Sequence, residues 1–226
     1  MLIQIQRVLS EADAAEFRAV LERTEWTDGR GSAGYLSAAV KDNSQLPDSS
    51  PIARDLGERI LRALDGNALF ASASLPFKVS APLFNRYADQ QSYGRHIDGA
   101  IRQVAGSAHR IRTDLAATLF LTPPADYDGG ELVVEDTFGA RRVKLSAGDM
   151  VLYPGTSVHR IEPVTRGTRL AAFFWIQSHV REDVRRTILF ELDTAIQRIA
   201  SDMPQHAAVV DLAGVYHNLL RIWADT

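Results

Sequence analysis

Residues 150–178 read MVLYPGTSVHRIEPVTRGTRLAAFFWIQS. The apolar run from Met150 to Tyr153 stops at Pro154-Gly155, a turn signal, and a new extended segment carrying His159 begins after it. A second run, residues 168–177, is apolar and aromatic with Arg169 near its start. Alternate side chains of a strand share a face, so Arg169 is expected to stand with Ala171, Phe173 and Trp175. Extended runs of the same kind are predicted at 79–87, 114–121, 131–135, 141–145, 150–153 and 158–162. Many short strands separated by turns indicate a β-sandwich or barrel.

Upstream, the extended segment around His96-Ile97-Asp98 can aim an imidazole and a carboxylate at one point, because residues i and i+2 share a face. With His159 they supply two histidines and one carboxylate, the protein ligands of a facial triad that holds non-haem Fe(II) and leaves coordination positions open. A guanidinium at Arg169, among small and aromatic residues, suits a buried carboxylate through its two-pronged donor geometry. His109 falls in a polar loop, His179 follows the last strand, and His206 and His217 lie in a helical region; none has a partner at ligand spacing. Two other patterns are set aside. Residues 29–34, GRGSAG, match the dinucleotide fingerprint but are predicted to lack its strand and helix context, and read as a flexible loop. Asp126, Asp128 and Glu131 around Gly129-Gly130 lack the ligand order of a calcium loop and read as a hairpin turn.

At this point the sequence resembles the Fe(II)- and 2-oxoglutarate-dependent dioxygenases of the prolyl 4-hydroxylase class, more narrowly the bacterial PKHD-type hydroxylases. The resemblance is carried by FNRY (84–87), SYGRHID (92–98), RTDLAATLFL (112–121), YDGGEL (127–132), AGDMVLYP (147–154) and VTRGTRLAAFFWIQS (164–178), in the family's order and over roughly half of the chain. It implies a mainly β fold with flanking α: a double-stranded β-helix (jelly roll) core with N-terminal helices and a C-terminal helical tail. It further implies that His96, Asp98 and His159 bind Fe(II), and that Arg169, where many relatives carry lysine, binds the distal carboxylate of 2-oxoglutarate. Tyr87, sharing strand positions with Leu83 and Asn85, would donate a hydrogen bond to that cosubstrate; ascorbate would serve as reductant. The activity implied is hydroxylation coupled to oxidative decarboxylation of 2-oxoglutarate, on a small-molecule or peptidyl substrate, with a link to iron and siderophore metabolism. Tyr93, Arg95 and Trp175 neighbour the site in sequence, without a direction for their side chains. Two other classes use similar ligands: a non-catalytic iron or 2-oxoglutarate sensor, and a cupin-type metalloenzyme, which would not need Arg169. A zinc hydrolase is disfavoured, since neither an HExxH helix nor a GxSxG elbow is present.

The rest of the chain sets bounds. It has 226 residues, within the range of one large β domain with additions. Its net charge of −3 is spread along the sequence, which excludes an electrostatic footprint for nucleic acid or an anionic membrane. No stretch approaches the roughly 20 apolar residues of a membrane span. The N-terminus lacks a signal-peptide pattern, so a cytoplasmic location is expected. There is no cysteine, which excludes disulfides, Fe–S clusters and thiolate zinc. Ser10 is an N-cap for a helix presenting Ala14, Phe17, Val20 and Leu21, ending near residue 23. Residues 24–50 form a long loop with short strand pieces, and a second helix follows Pro51 with Ile52, Leu56, Ile60 and Leu64 on one face. Three regions result: helices and loop over 1–77, the dioxygenase core over 78–178, and a helical extension over 179–226. The last carries Val184, Ile188, Leu189 and Leu192, then Val210, Leu212, Val215, Leu219 and Ile222 at helical spacing, to buttress the barrel or to form a homo-oligomer contact.

Overall fold

The computed structural model describes residues 1–103, 110–137 and 139–225, so His109 lies outside the described residues. Among the described residues two antiparallel sheets form a jelly roll. The larger runs in the order Ile3–Ile5, Met150–Pro154, Leu115–Phe120, Val164–Ser178, Leu83–Ala88, Ser44–Gln45, Thr27–Asp28, with Pro76–Val79 and Tyr127–Gly129 also pairing on the long strand Val164–Ser178. The smaller runs Gly139–Val143, Leu132–Asp136, His159–Ile161, Ser92–His96, Lys41–Asp42.

The alternation along Val164–Ser178 divides two cores. Leu170, Ala172, Phe174 and Ile176 pack with Phe17, Leu21, Leu56, Ile60 and Phe70 of the helices, while Trp175 joins Tyr87, Phe120 and Tyr153 against Leu132, Val134 and Ile161 of the smaller sheet. Both faces of the larger sheet are therefore covered, which is why every residue of Leu115–Phe120 is buried. Leucine- and phenylalanine-sized side chains buried in this way each contribute about 1.5–3 kcal/mol.

The helices begin where their caps predict. Ser10 accepts a hydrogen bond from the Asp13 amide and starts Glu11–Glu22; Ser50, followed by Pro51 at the first helical position, starts Pro51–Asp65, which ends at Gly66. A third helix, Ala68–Ser74, was not expected; Asn67 caps it and left-handed Leu75 stops it. The segment 24–50 does more than cover the core, since its short strands extend both sheets.

Three expectations need correction, and one element was not foreseen. The run predicted over 79–87 is two strands, Pro76–Val79 and Leu83–Ala88, since Pro82 has no amide to donate. Ser80 bridges the break: its amide donates to the Trp175 carbonyl and its hydroxyl accepts from the Trp175 amide. Gly129-Gly130 is not a hairpin turn. Tyr127–Gly129 pairs with the start of the long strand, whereas Leu132–Asp136 belongs to the other sheet, so the two glycines carry the chain across. Residues 29–34 do have local structure, a 3-10 turn at Gly29–Ser32 between the two-residue strand Thr27–Asp28 and the single helical turn Tyr35–Ala38; nothing there resembles a βαβ unit. Finally, Ile101–Gln103 and Arg110–Arg112 pair as a separate two-stranded ribbon, too polar to show strand alternation in the sequence.

Gly129 has φ +72°, and a Cβ there would lie 1.9 Å from the Pro163 carbonyl oxygen. Gly129→Ala is expected to destabilise the fold by about 2 kcal/mol or more from left-handed strain and the clash. Gly31→Ala, where an added Cβ meets nothing within 4 Å, should stay within about 0.5 kcal/mol of wild type. Equal denaturation midpoints for the two variants would refute the crossover argument.

At the C-terminus, Asp183–Asp202 docks through buried Leu189 and Arg186, and Ser72 donates to Asp193 at 2.5 Å. Ala207–Trp223 packs on that helix and leaves Val210 and Ile222 exposed.

Candidate active site

His96 and His159 are directly opposite one another on adjacent strands of the smaller sheet, their ring centroids 4.2 Å apart. Asp98, two residues past the first histidine, brings Oδ2 to 4.0 Å from His159 Nε2. Candidate ligand atoms of the three residues all lie within 4.8 Å of one another, and among the described residues this is the group of histidines and carboxylates able to hold a metal ion. The backbone sets the tautomers. His96 Nδ1 lies 2.8 Å from the Gly94 carbonyl and His159 Nδ1 3.1 Å from the Ser157 carbonyl. A carbonyl only accepts, so each Nδ1 carries its proton and each Nε2 lone pair is free for a metal. Burial, with His159 beside it, pushes the His96 pKa down from its ordinary value, so the imidazole is neutral as a ligand must be.

Two aromatic side chains hold this cluster. Trp175 Nε1 donates to Asp98 Oδ2 at 2.9 Å, and the Tyr93 ring stacks on His96 at 3.6 Å. Arg95 turns the other way: it is exposed and forms a two-pronged pair with Glu135 at 2.6 and 2.9 Å. The remaining described histidines are elsewhere. His179 lies against Phe77, His206 caps the last helix and His217 sits beside Tyr216.

Arg169 stands on the same cavity as the cluster, together with Tyr87, its direct neighbour across the larger sheet. Its side chain is 0% exposed, yet among the described residues no carboxylate lies within ion-pair distance. Nη1 reaches only Asn85 Oδ1 at 3.4 Å, and Nε and Nη2 have no hydrogen-bond partner in the protein. A buried guanidinium left in this state is costly unless a ligand completes it. A dicarboxylate that chelates a metal at one end and pairs with a cation at the other matches the arrangement. The Tyr87 hydroxyl is held protonated by burial, which raises its pKa, and can donate to such a ligand.

Several cavity residues were not foreseen. Lys41 and Arg102 line it, and Ser32, Ala33, Gly34 and Ser37 place the 24–50 segment over it. Lys41 pairs opposite Tyr93 from an isolated two-residue strand, a position that no pattern in the surrounding Gly- and Ser-rich sequence marks. The acidic trio near Gly129 is neutralised by arginines rather than gathered: Asp126 pairs with Arg18, Asp128 with Arg166 and Glu131 with Arg142.

Residues 82–177 match the model of the 2OG-Fe(II) oxygenase superfamily, and residues 183–225 the PKHD-type hydroxylase C-terminal domain. A PKHD-type hydroxylase of Bordetella pertussis is 58% identical over 225 residues, covering 100% of both chains. Among solved structures, a Trichoplax adhaerens prolyl hydroxylase in complex with a hypoxia-inducible-factor peptide superposes with TM-score 0.56 at 12% identity, covering 83% of this chain and 86% of that one. Streptomyces hygroscopicus HygX, bound to nickel, 2-oxoglutarate and hygromycin B, gives 0.52 at 15%, covering 78% and 82%. At such identities these two likenesses establish the fold.

Proposed function

The chain belongs to the PKHD-type hydroxylases of the 2-oxoglutarate- and Fe(II)-dependent oxygenase superfamily, and from that premise we propose that His96, Asp98 and His159 hold the iron while Arg169 and Tyr87 hold 2-oxoglutarate. It is a dioxygenase that couples oxidative decarboxylation of 2-oxoglutarate to hydroxylation of its substrate. The observation that carries the residue assignment is the buried, unpaired Arg169 guanidinium on the same cavity as the three-ligand cluster.

Iron and 2-oxoglutarate, when bound, would let dioxygen serve as the oxidant, one oxygen atom leaving in succinate as carbon dioxide is released and the other entering a C–H bond of the substrate as hydroxyl. The side chains do the positioning. His96 and His159 present Nε2 because their Nδ1 protons are fixed on carbonyls; Asp98 is held by the Trp175 indole. Arg169 offers two unoccupied donor nitrogens to a carboxylate, and its deep burial strengthens that charge-assisted pair. Phe173, Trp175 and the aliphatic side chains of Leu132 and Ile161 exclude water from the reacting volume.

An anaerobic titration with Fe(II) and then 2-oxoglutarate tests the assignment. A visible charge-transfer absorption should appear with both present, and succinate should form on admitting oxygen. Absence of the band in iron-loaded protein would reject the chelate reading, and a band with no oxygen consumption across substrate screens would favour a sensor.

Trp175→Phe removes the hydrogen bond that orients Asp98 while keeping an aromatic ring. Loss of such an outer partner is expected to weaken Fe(II) binding or activity by about 10–100-fold. A Fe(II) titration midpoint and turnover equal to wild type would show that Asp98 does not depend on the indole.

A further inference from the structure

We infer that Lys41 and Arg102 form an anion-binding end of the substrate site, so that the molecule hydroxylated carries a carboxylate group. The inference rests on the iron and 2-oxoglutarate assignment above and concerns the part of the same cavity which that assignment leaves unused.

Lys41 is 5% exposed. Its Nζ donates to Ser32 Oγ at 2.7 Å and Gln45 Oε1 at 3.2 Å, both neutral, and the Tyr93 and Phe173 rings lie 5.4 and 5.9 Å away. An ammonium has three N–H donors, so one remains for a ligand. Arg102 sits over the Trp175 indole with Cζ 3.9 Å from the ring centroid, and donates to the Ser32 carbonyl at 3.4 Å. Among the described residues neither cation has a carboxylate within ion-pair distance, and Asp98, the acid on the cavity wall, is engaged by Trp175.

Charge accounting points the same way. Iron's two positive charges and that of Arg169 are cancelled by Asp98 and the two carboxylates of 2-oxoglutarate. Lys41 and half-buried Arg102 then face only carboxylates beyond ion-pair distance, Asp48 for both and Asp28 for Lys41, an arrangement that a bound anion would stabilise. Burial pulls the Lys41 ammonium down to about 8, in keeping with that missing partner. Position separates this pair from the cosubstrate's cation. Arg169 lies on the interior strand, whereas Lys41 belongs to the covering segment and Arg102 to the strand Ile101–Gln103 of the two-stranded ribbon. Arg102 and Trp175 also line a second groove beside Arg54, Glu58 and Pro82, where the remainder of a substrate can extend.

The test uses the holoprotein loaded with Zn(II) and 2-oxoglutarate, so that Arg169 is occupied, and follows para-fluorobenzoate and para-fluorobenzamide binding by fluorine NMR. In parallel, the anaerobic Fe(II) absorption band reports 2-oxoglutarate affinity. The acid should bind wild type at least about tenfold more tightly than the amide, the span of one charge-assisted hydrogen bond. Lys41→Met should abolish the preference and Lys41→Arg should keep it, both with 2-oxoglutarate affinity within about threefold of wild type, less than the loss of one net hydrogen bond. Equal binding of acid and amide, no binding of the acid, or a preference that survives in either Lys41→Met or Arg102→Met would overturn the proposal. So would a loss of 2-oxoglutarate affinity in Lys41→Met, which would make Lys41 a cosubstrate residue and leave the iron-site assignment standing. Failure of wild type to form the 2-oxoglutarate complex would instead defeat that assignment itself.

Discussion

Arg169→Met is expected to abolish 2-oxoglutarate binding while leaving the apo-protein as stable as wild type or more so. The two effects have one origin. In the free protein the guanidinium is wholly buried with two nitrogens unpaired, so folding bears its desolvation without return. Exchanging a buried charge for an apolar side chain of similar volume is commonly neutral or stabilising by about 1–4 kcal/mol. Once 2-oxoglutarate is present the balance reverses. Its distal carboxylate would then be the buried, unpaired charge, and breaking such a pair costs about 3–5 kcal/mol, or more than 100-fold in affinity. Thermal melting of Fe(II)-loaded protein with and without 2-oxoglutarate measures both. Wild type should gain stability with the ligand and Arg169→Met should not, although its apo melting temperature equals or exceeds that of wild type. A ligand-induced rise of normal size in the variant would remove Arg169 from the cosubstrate site.

The second large effect is at Asp98. Asp98→Ala leaves two histidines as protein ligands and strips the Trp175 indole of its acceptor. Losing an outer-shell partner alone lowers metal affinity or activity by about 10–100-fold, so losing the ligand should exceed the upper end of that range. The variant should purify with little iron, bind Fe(II) more than about 100-fold more weakly and form no succinate above background. Metal content and Fe(II) titration decide it, with a melting curve to verify folding. Retention of iron at wild-type affinity would place the metal elsewhere.

The candidate ligands and Arg169 were legible because each is tied to a local rule. His96 and Asp98 are separated by one residue, His96 ending its strand and Asp98 just beyond it, and Arg169 shares the strand face of Phe173 and Trp175, which do line the cavity. The helices were legible for a similar reason: Ser10, Ser50 with Pro51, and Gly66 are caps whose hydrogen bonds lie within a few residues. The role of Gly129-Gly130 was misread because a hairpin and a crossover between sheets both require left-handed glycine, and only the pairing partner distinguishes them.

By itself, then, the amino-acid order determined which residue types could ligate a metal, the strand alternation that turns Arg169 inward and the limits of the two helices capped by Ser10 and Ser50, because these depend on backbone geometry repeating over two to four residues. Tertiary structure alone decided that Trp175 grips Asp98, that Tyr93 stacks on His96 while Arg95 faces solvent, and that Lys41 enters the cavity from the segment above it. Except for Tyr93 and His96, three residues apart, those contacts join residues far apart in the chain. They arise when the two sheets and the covering segment close around one volume, and no local pattern of residues encodes which side chains meet there.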